Sequence, residues 1–441
     1  MRFRYTFSFG ALVRAPTALS FLAWGCLGSS ATVPVVEAGA LGPLDCTVEG
    51  GSPRAAPNGY YTKGAAVCTA AHRAHLFHGV DRPSFEWSAA GDHISAADFQ
   101  RIAAWHANVV RIALNQDFWL AGAQQHNAGY QQAVDQAVQW AEAAGLDVIL
   151  DLHWSDKGNL SALKSGQQKM ADTNSVAFWT EVATRYKGDG RVLFELYNEP
   201  HDISPDVWLN GGSAGDYPAV GMQDLYNAVR AAGAENLVIA GGLNWAYALT
   251  PLPGTAINGY NVMYAVHPYN KSDNQPGGWD SNWGFVASTN FAPVIATEFG
   301  DSTAACSGVW DSTLVQYCDE RQISWTAWAW YPGGCGFPSL VSDWAGTPTA
   351  QGQVIKDALN GYSRDPAGAV DAAAEASGVL PVDGAATPDG AADDSSADSN
   401  ADSTVEGGDP DVASVSAPLA EASAADGSTD GGALGSDAQS E

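Results

Sequence analysis

The chain has 441 residues, of which 46% are hydrophobic and 10% aromatic, so it holds ample material for a large hydrophobic core. Its formal net charge is −29, from 49 acidic residues against 20 Lys and Arg. Such an acidic balance argues against nucleic acid as a partner, since the phosphate backbone is itself negative.

The first 30 residues have the layout of a secretory signal peptide. Arg2, Arg4 and Arg14 precede an apolar stretch from Ala18 to about Leu27, which is too short for a membrane-spanning helix. This layout predicts a secreted protein. A lipoprotein-type signal is the alternative, in which lipidated Cys26 would anchor the protein to the cell surface. No later run in the sequence is long and apolar enough to predict a transmembrane helix.

Five cysteines follow the predicted signal peptide, and export permits them to form disulfides. Cys46 and Cys68 lie in a Gly- and Pro-rich lead-in segment, residues 31–69, and are plausible partners. Cys318 lies in a helical pattern and is expected to be a buried free thiol. Cys306 and Cys335 then remain as a second pair. No CxxC pair occurs, and the spacings suggest no zinc or other metal site.

Eight short runs rich in Val, Ile and Leu recur from residue 76 onward. They lie at 76–83, 108–114, 147–154, 191–200, 236–242, 262–269, 293–301 and 323–331. Each is nearly continuous in apolar residues, and this pattern is typical of strands that are buried on both faces.

Amphipathic stretches with helical spacing separate these runs. In residues 95–107, Ser95 is followed three positions later by Asp98, which predicts a helix start resembling a capping box. Residues 130–145 place small and branched apolar side chains on one stripe and end at Gly145. The alternation predicts an α/β fold, a (β/α)₈ TIM barrel, as one catalytic domain at 70–362. A doubly wound open sheet is the alternative, weakened by the lack of a Gly-rich phosphate loop after the first strand.

Residues 363–441 differ sharply in composition from the rest of the chain. No aromatic residue follows Tyr362, and residues 365–441 contain 17 Asp and Glu but no Lys or Arg. Of the net charge, −17 therefore belongs to residues 365–441 and −12 to residues 1–364. Such a segment cannot bury enough apolar surface to order itself, so we expect a disordered, acidic, low-complexity tail.

Polar residues cluster where the predicted strands end. Pro200 has no N–H to donate to a strand ladder, so the fourth strand is expected to end there, with Asn198 and Glu199 at its carboxyl end. Glu298 ends the seventh strand. In a barrel these ends converge on one bowl, so the two carboxylates would face each other across it. Two opposed carboxylates are what retaining glycoside hydrolysis requires.

The segments that carry these residues resemble the signature segments of glycoside hydrolase family five, the cellulase family. "VLFELYNEPH" and "APVIATEFGD" match its two catalytic segments, and the resemblance extends over about residues 70–361 through "HGVDRPSFEW", "DLHW", "HPY" and "WTAWAWYPGG". The resemblance implies a TIM barrel that hydrolyses β-glycosidic bonds with retention and without a cofactor.

The resemblance also implies a role for each matching residue. Glu199 would be the acid/base and Glu298 the nucleophile, while Asn198 would bind the sugar 2-hydroxyl. The expected supporting residues are Arg111 beside the nucleophile, His153, His267 and Tyr269 around the cleaved bond, and Trp328 under the sugar. Asp81 departs from the pattern, because Asn is expected there. Glu195 is expected to be a buried structural acid that pairs with a base, and Trp87, Trp119, Trp154 and Trp245 are candidates for stacking on sugar or for ordinary packing.

The sequence therefore predicts a secreted, monomeric, retaining endo-β-1,4-glucanase whose partner is a polysaccharide, β-glucan. An endo-β-mannanase or another β-glycanase of the same family is the alternative within the enzyme class. A carbohydrate-binding barrel without catalytic activity is the alternative of a different class, but both carboxylates are present and favour the enzyme.

Overall fold

The computed structural model describes residues 43–48, 52–303 and 306–362. The predicted signal peptide, Cys26 and the predicted acidic tail all lie outside these residues. Within the described ranges, the helices are too short or too polar to cross a bilayer.

The strands of the described residues are, in chain order, β1 (Tyr60–Lys63), β2 (Ala66–Thr69), β3 (Ala74–His75), β4 (His78–Arg82), β5 (Val109–Asn115), β6 (Asp147–Trp154), β7 (Val192–Glu195), β8 (Gly212–Ser213), β9 (Pro218–Ala219), β10 (Val238–Gly241), β11 (Val262–Val266), β12 (Val294–Ala296) and β13 (Ser324–Ala327). The helices are α1 (Ala96–Ala104), α2 (Gln116–Trp119), α3 (Tyr130–Ala143), α4 (Thr173–Tyr186), α5 (Pro205–Asn210), α6 (Met222–Ala231), α7 (Pro276–Trp279), α8 (Phe285–Ser288), α9 (Val309–Glu320) and α10 (Ala350–Asn360), with a π-helical turn at Asp280–Gly284 between α7 and α8.

Eight of these strands close into a parallel barrel in the order β4, β5, β6, β7, β10, β11, β12, β13, with β13 pairing back onto β4. Each corresponds to one of the eight predicted runs, and only β5 extends past its run, by one residue. Closure excludes the open doubly wound sheet and confirms the predicted (β/α)₈ barrel. All seven residues of β5 are buried, as expected for a strand covered on both faces.

The predicted lead-in segment contributes structure to the lower end of the barrel, which its composition did not indicate. Strands β1, β2 and β3 form an antiparallel sheet, and Val67 of this sheet packs with Val109, Ile149 and Leu193 from the barrel interior. An apolar layer thus fills the barrel beneath the polar end.

Three of the cysteine predictions are confirmed among the described residues. Cys46 is bonded to Cys68, which ties residue 46 to β2. Cys306 is bonded to Cys335, which joins the loop after β12 to the loop after β13. Cys318 is a buried free thiol on α9.

The prediction of a capping box at Ser95 is wrong, because the hydrogen bond that defines it is not formed. Ser95 is the N-cap of α1, but its side chain makes no capping hydrogen bond. The Asp98 carboxylate instead pairs with the buried guanidinium of Arg82 and accepts a hydrogen bond from Trp330 Nε1 at 2.8 Å. A buried cation is costly without a partner, so this tertiary contact prevails over the local one.

Two buried histidines at the lower end of the barrel make its stability depend on pH. Neither ring nitrogen of His75 or His78 has a hydrogen-bond partner within the described part of the chain. Burial lowers the pKa of each to about 3. Below the unfolded pKa of about 6.5, only the unfolded state binds these protons, so the free energy of unfolding should fall as the pH decreases from 6.5 towards 3.

The variant His78→Phe tests this dependence. Phe keeps the stacking of His78 on Tyr362, whose ring lies 3.8 Å away between centroids, and removes the titrating group. At pH 5 we expect the variant to gain up to about 2 kcal/mol relative to the wild type, compared with pH 8. Urea denaturation at both pH values measures it, with His106→Asn at an exposed position as the control. Equal effects at both pH values would contradict the prediction.

Candidate active site

The centre of the polar end of the barrel is the guanidinium of Arg111, which projects from β5 and is fully buried. Its three nitrogens contact five acceptors from four other strands or strand ends. The contacts are Nε to Glu195 Oε2 at 2.5 Å, Nη1 to Asp81 Oδ1 at 3.0 Å and Glu298 Oε1 at 2.7 Å, and Nη2 to Asn198 Oδ1 at 2.7 Å and Asp151 Oδ2 at 3.0 Å. Four of these contacts are hydrogen bonds and the contact with Asp151 is an ion pair, so each guanidinium nitrogen has at least one partner.

Strand register brings these groups together. Asp81 of β4 is the direct partner of Arg111, and Asp151 of β6 is the direct partner of Glu195 in β7. Because all eight strands are parallel, the residues that follow their carboxyl ends lie at the same end of the barrel. Asn198 and Glu199 come after β7, and Glu298 comes after β12.

Both carboxylate oxygens of Glu298 are held in place. Arg111 Nη1 donates to Oε1 at 2.7 Å, and the hydroxyl of Tyr269 donates to Oε2 at 2.7 Å. Burial alone would raise the pKa of Glu298, but the charges of His267, Arg111 and His153, with the Tyr269 hydrogen bond, lower it to about 2. Glu298 is therefore an oriented carboxylate at neutral pH.

Glu199 faces Glu298 across the bowl and is the more accessible of the two. Its side chain is 18% exposed against 5% for Glu298, and an oxygen of one lies within 4.8 Å of an oxygen of the other. His267 Nδ1 lies 3.1 Å from Glu199 Oε1.

The imidazole of His267 is surrounded by acceptors. Thr297 donates its hydroxyl proton to Glu195 at 2.8 Å, so its oxygen is free to accept from His267 Nε2 at 3.0 Å. Burial alone would lower the pKa of His267, but the charge of Glu298, the Glu195 carboxylate at 3.8 Å and the hydrogen-bond contact with Glu199 raise it to about 10. At neutral pH His267 is therefore an imidazolium ion between carboxylates.

His153 occupies the opposite wall of the bowl. Its Nδ1 lies 2.6 Å from Asp151 Oδ2, and its ring is nearly parallel to that of Trp328, 5.8 Å away between centroids. Burial opposes the charged form, but the charges of Asp151, Glu86 and Glu298 raise the pKa of His153 to about 9. This places a cation beside the largely buried Trp328 ring.

All eight predicted site residues lie in one connected cluster. Arg111 links Glu298 and Asn198, and Tyr269 contacts Glu298. His267 contacts both Glu199 and Glu298, and His153 joins Asn198 to Trp328. Glu195 is buried against Arg111, as expected of a structural acid.

Other residues contribute to the site without being among the predicted site residues. Asp81, which departs from the family pattern, shares Arg111 Nη1 with Glu298. Asp151 lies two positions before His153 and therefore on the same face of the strand, so this spacing in the sequence could have predicted that Asp151 lies beside His153 in the site. Gln167 contacts Asn198 from the middle of a loop, where no sequence pattern marks it.

The four candidate tryptophans divide between packing and the rim of the bowl. Trp119 is fully buried and belongs to the core. Trp245 is 44% exposed, and its ring lies flat on His201 at 3.5 Å between centroids. Trp87 and Trp154 are half-buried. An exposed, rigidly backed indole such as Trp245 is suited to stacking on a sugar ring.

Glu199, His267 and Glu298 also lie close enough together to be metal ligands. A metal requires a neutral imidazole, whereas the pKa of His267 is raised to about 10. The proton on His267 supplies positive charge at this point, and a metal ion would have to displace it.

Comparison with known proteins gives consistent similarities. The model of the cellulase family, described as glycosyl hydrolase family 5, matches residues 68–334. An endoglucanase of Paenibacillus polymyxa is 26% identical over 245 residues, which are 48% of this chain and 61% of that protein. Endoglucanase E-5 of Thermobifida fusca is 25% identical over 281 residues, which are 58% of this chain and 54% of that protein. The chain thus spans less than two thirds of the length of these relatives.

A solved structure shares the fold. It is that of the β-glucanase SdGluc5_26A from Saccharophagus degradans in complex with cellotetraose, with a TM-score of 0.57 and 24% identity, covering 68% of this chain and 93% of that one.

The central guanidinium should be essential for stability. Arg111→Met leaves four carboxylates around a buried site without their shared cation, and breaking a buried pair in this way typically costs about 3–5 kcal/mol. Arg185→Met removes a partly exposed pair with Asp135, for which about 1 kcal/mol or less is expected. Urea denaturation of both variants at pH 7 gives the comparison. Equal losses would mean that Arg111 is not the organising charge.

Proposed function

The chain belongs to the cellulase family, glycosyl hydrolase family 5, and we propose that it is a retaining endo-β-1,4-glucanase that cleaves internal bonds of β-glucan with Glu199 as the acid/base and Glu298 as the nucleophile. The endoglucanase relatives support the choice of glucan as substrate.

The observation that carries the proposal is the pair of opposed carboxylates, whose nearest oxygens lie within 4.8 Å. Retaining enzymes hold their two carboxyl groups about 5–5.5 Å apart, whereas inverting enzymes need about 6.5–9.5 Å to admit a water molecule. The short separation therefore supports a nucleophilic rather than a water-activating role for the second carboxylate.

In the first step, a Glu298 oxygen attacks the anomeric carbon and forms an ester bond as the glycosidic C–O bond breaks. Glu199 transfers a proton to the departing oxygen, so the leaving sugar departs as a neutral alcohol. Arg111 and Tyr269 hold the two oxygens of Glu298 and thereby aim the carboxylate before the reaction.

In the second step, water attacks the same carbon from the vacated side. Glu199, now a carboxylate, removes a proton from that water, and the ester bond to Glu298 breaks. Esterification removes the negative charge of Glu298, so Glu199 then acts as a base without the Glu298 charge opposite it. His267, which contacts Glu199 at 3.1 Å, holds the acid/base side chain in both steps.

The proposal includes export of the protein. The described residues hold two disulfides, bonds that persist in oxidising compartments, and the sequence of residues 1–30 has the layout of a signal peptide. Lipid attachment through Cys26 remains the alternative to free secretion, and the monomeric state remains a prediction.

A substrate panel tests the proposed activity. The purified protein should release reducing ends from carboxymethylcellulose and mixed-linkage β-glucan and lower the viscosity of their solutions early, because internal bonds are cut. Mannan and xylan should be poorer substrates. Preference for mannan would identify an endo-mannanase, and polysaccharide binding without cleavage would identify a non-catalytic barrel.

Azide rescue tests the roles of the two carboxylates. Glu298→Ala should be nearly inactive, and added azide should enter the vacated face and give the α-glycosyl azide. Glu199→Ala should lose about 10²–10⁴-fold on substrates whose leaving group needs a proton. It should retain the first step on aryl glycosides with acidic leaving groups and give the β-glycosyl azide.

The stereochemistry of the azide products can be read by NMR. An α-azide from Glu199→Ala or a β-azide from Glu298→Ala would reverse the two assignments. Failure of azide to react with either variant would contradict the double-displacement mechanism.

A further inference from the structure

The loop between β6 and α4 docks onto the chain segment that follows β7. Ser155 and Gly166 exchange two backbone hydrogen bonds of 3.0 Å, which closes the loop on itself. The hydroxyl of Tyr197 then contacts both the backbone N–H and the carbonyl of Gln168, at 3.2 and 2.9 Å. The His201 N–H donates to the carbonyl of Lys169 at 2.9 Å. Residues 166–169 are thereby held alongside residues 197–201.

Gln167 lies in the middle of this contact and reaches the site with both ends of its carboxamide. Its Oε1 accepts a hydrogen bond from Asn198 Nδ2 at 3.0 Å. Its Nε2 donates to the backbone carbonyl of Glu199 at 3.0 Å and to that of Gln168 at 3.1 Å. A donor on one side and two carbonyl acceptors on the other fix the orientation of the Gln167 amide.

Gln167 completes the restraint on Asn198. Arg111 Nη2 holds Asn198 Oδ1 at 2.7 Å, which leaves the Nδ2 group to be oriented. One of its two hydrogens goes to Gln167, and the other contact of Nδ2, with His153 Nε2, is longer at 3.4 Å. The second hydrogen is therefore available to a ligand in the bowl, in a direction set by the first.

We propose that Gln167 is a positioning residue, which orients the Asn198 carboxamide towards the 2-hydroxyl of the bound sugar. The inference rests on the proposed glycosidase function. It adds a loop residue to a site otherwise built from strand ends, so the loop after β6 is part of the catalytic geometry.

The test compares Gln167→Ala with Gln168→Ala. Gln168 is on the same loop, but the hydrogen bond of its side chain within the described residues is a long one, 3.4 Å to the Gly166 carbonyl. On an aryl β-cellobioside, Gln167→Ala should lower kcat/KM about tenfold, the range expected for one hydrogen bond in the transition state. The loss should fall mainly on kcat, because contacts to the 2-hydroxyl strengthen in the transition state. Gln168→Ala should stay within about twofold of the wild type, within the usual range for a surface substitution.

Two further measurements separate positioning from a merely structural effect. On the 2-deoxy analogue of the substrate, Gln167→Ala should match the wild type, because the hydroxyl that Asn198 would contact is absent. In a double-mutant cycle, Gln167→Ala combined with Asn198→Ala should lose no more than Asn198→Ala alone. Equal losses on both substrates, or multiplicative losses in the cycle, would overturn the proposal.

Side-chain NMR of Asn198 gives a readout that does not depend on activity. Its NH₂ resonances should shift and exchange faster with water in Gln167→Ala but not in Gln168→Ala. Gln167→Leu, which keeps the side-chain volume, serves the same purpose if the alanine variant unfolds. Unchanged Asn198 resonances would refute the inference. A wild-type protein that cleaves no β-glycoside, with shifted Asn198 resonances in the variants, would instead refute the proposed function.

Discussion

The structure depends on one buried cation, the guanidinium of Arg111. Its donors face four carboxylates and one amide, which come from β4, β6, β7 and the segments after β7 and β12. A buried guanidinium is costly unless its N–H groups are paired, and unpaired carboxylates are equally costly. The arrangement is thus stable only when all these strands are in register. The same requirement that closes the barrel also places Glu298 and Asn198.

Four carboxylates surround the single guanidinium of Arg111. Their excess negative charge favours the protonated form of the neighbouring histidines. His267 is buried and His153 is largely buried, yet carboxylate charges raise their pKa values to about 10 and 9. They supply the positive charge that one guanidinium lacks. In return they lower the pKa of Glu298, so the carboxylate that we propose as the nucleophile remains ionised. Structural stability and reactivity therefore arise from one charge network.

The two ends of the barrel differ in composition: one is apolar and the other carries the charged groups. The lower end is an apolar layer, into which the small antiparallel sheet inserts Val67. The upper end holds the charges and is framed by loops, among them the loop that carries Gln167 and the disulfide-linked loops with Cys306 and Cys335. Burying charge costs free energy of folding, and the packing of the apolar lower end helps to offset this cost at the upper end.

The eight strands could be predicted from the sequence alone, which favoured a closed barrel and left an open sheet as the alternative. The eight candidate site residues were predicted from the polar strand ends together with the family resemblance. Strand periodicity is a local property of the chain, and the polar ends of parallel strands must converge wherever the strands close. The sequence could not determine that Asp81 shares the donor of Glu298, that Asp98 would pair with Arg82 rather than cap its helix, or that Gln167 would reach Asn198. Those contacts join residues that lie far apart or in loops, where the choice of partner depends on distances and competing charges that only the tertiary structure fixes.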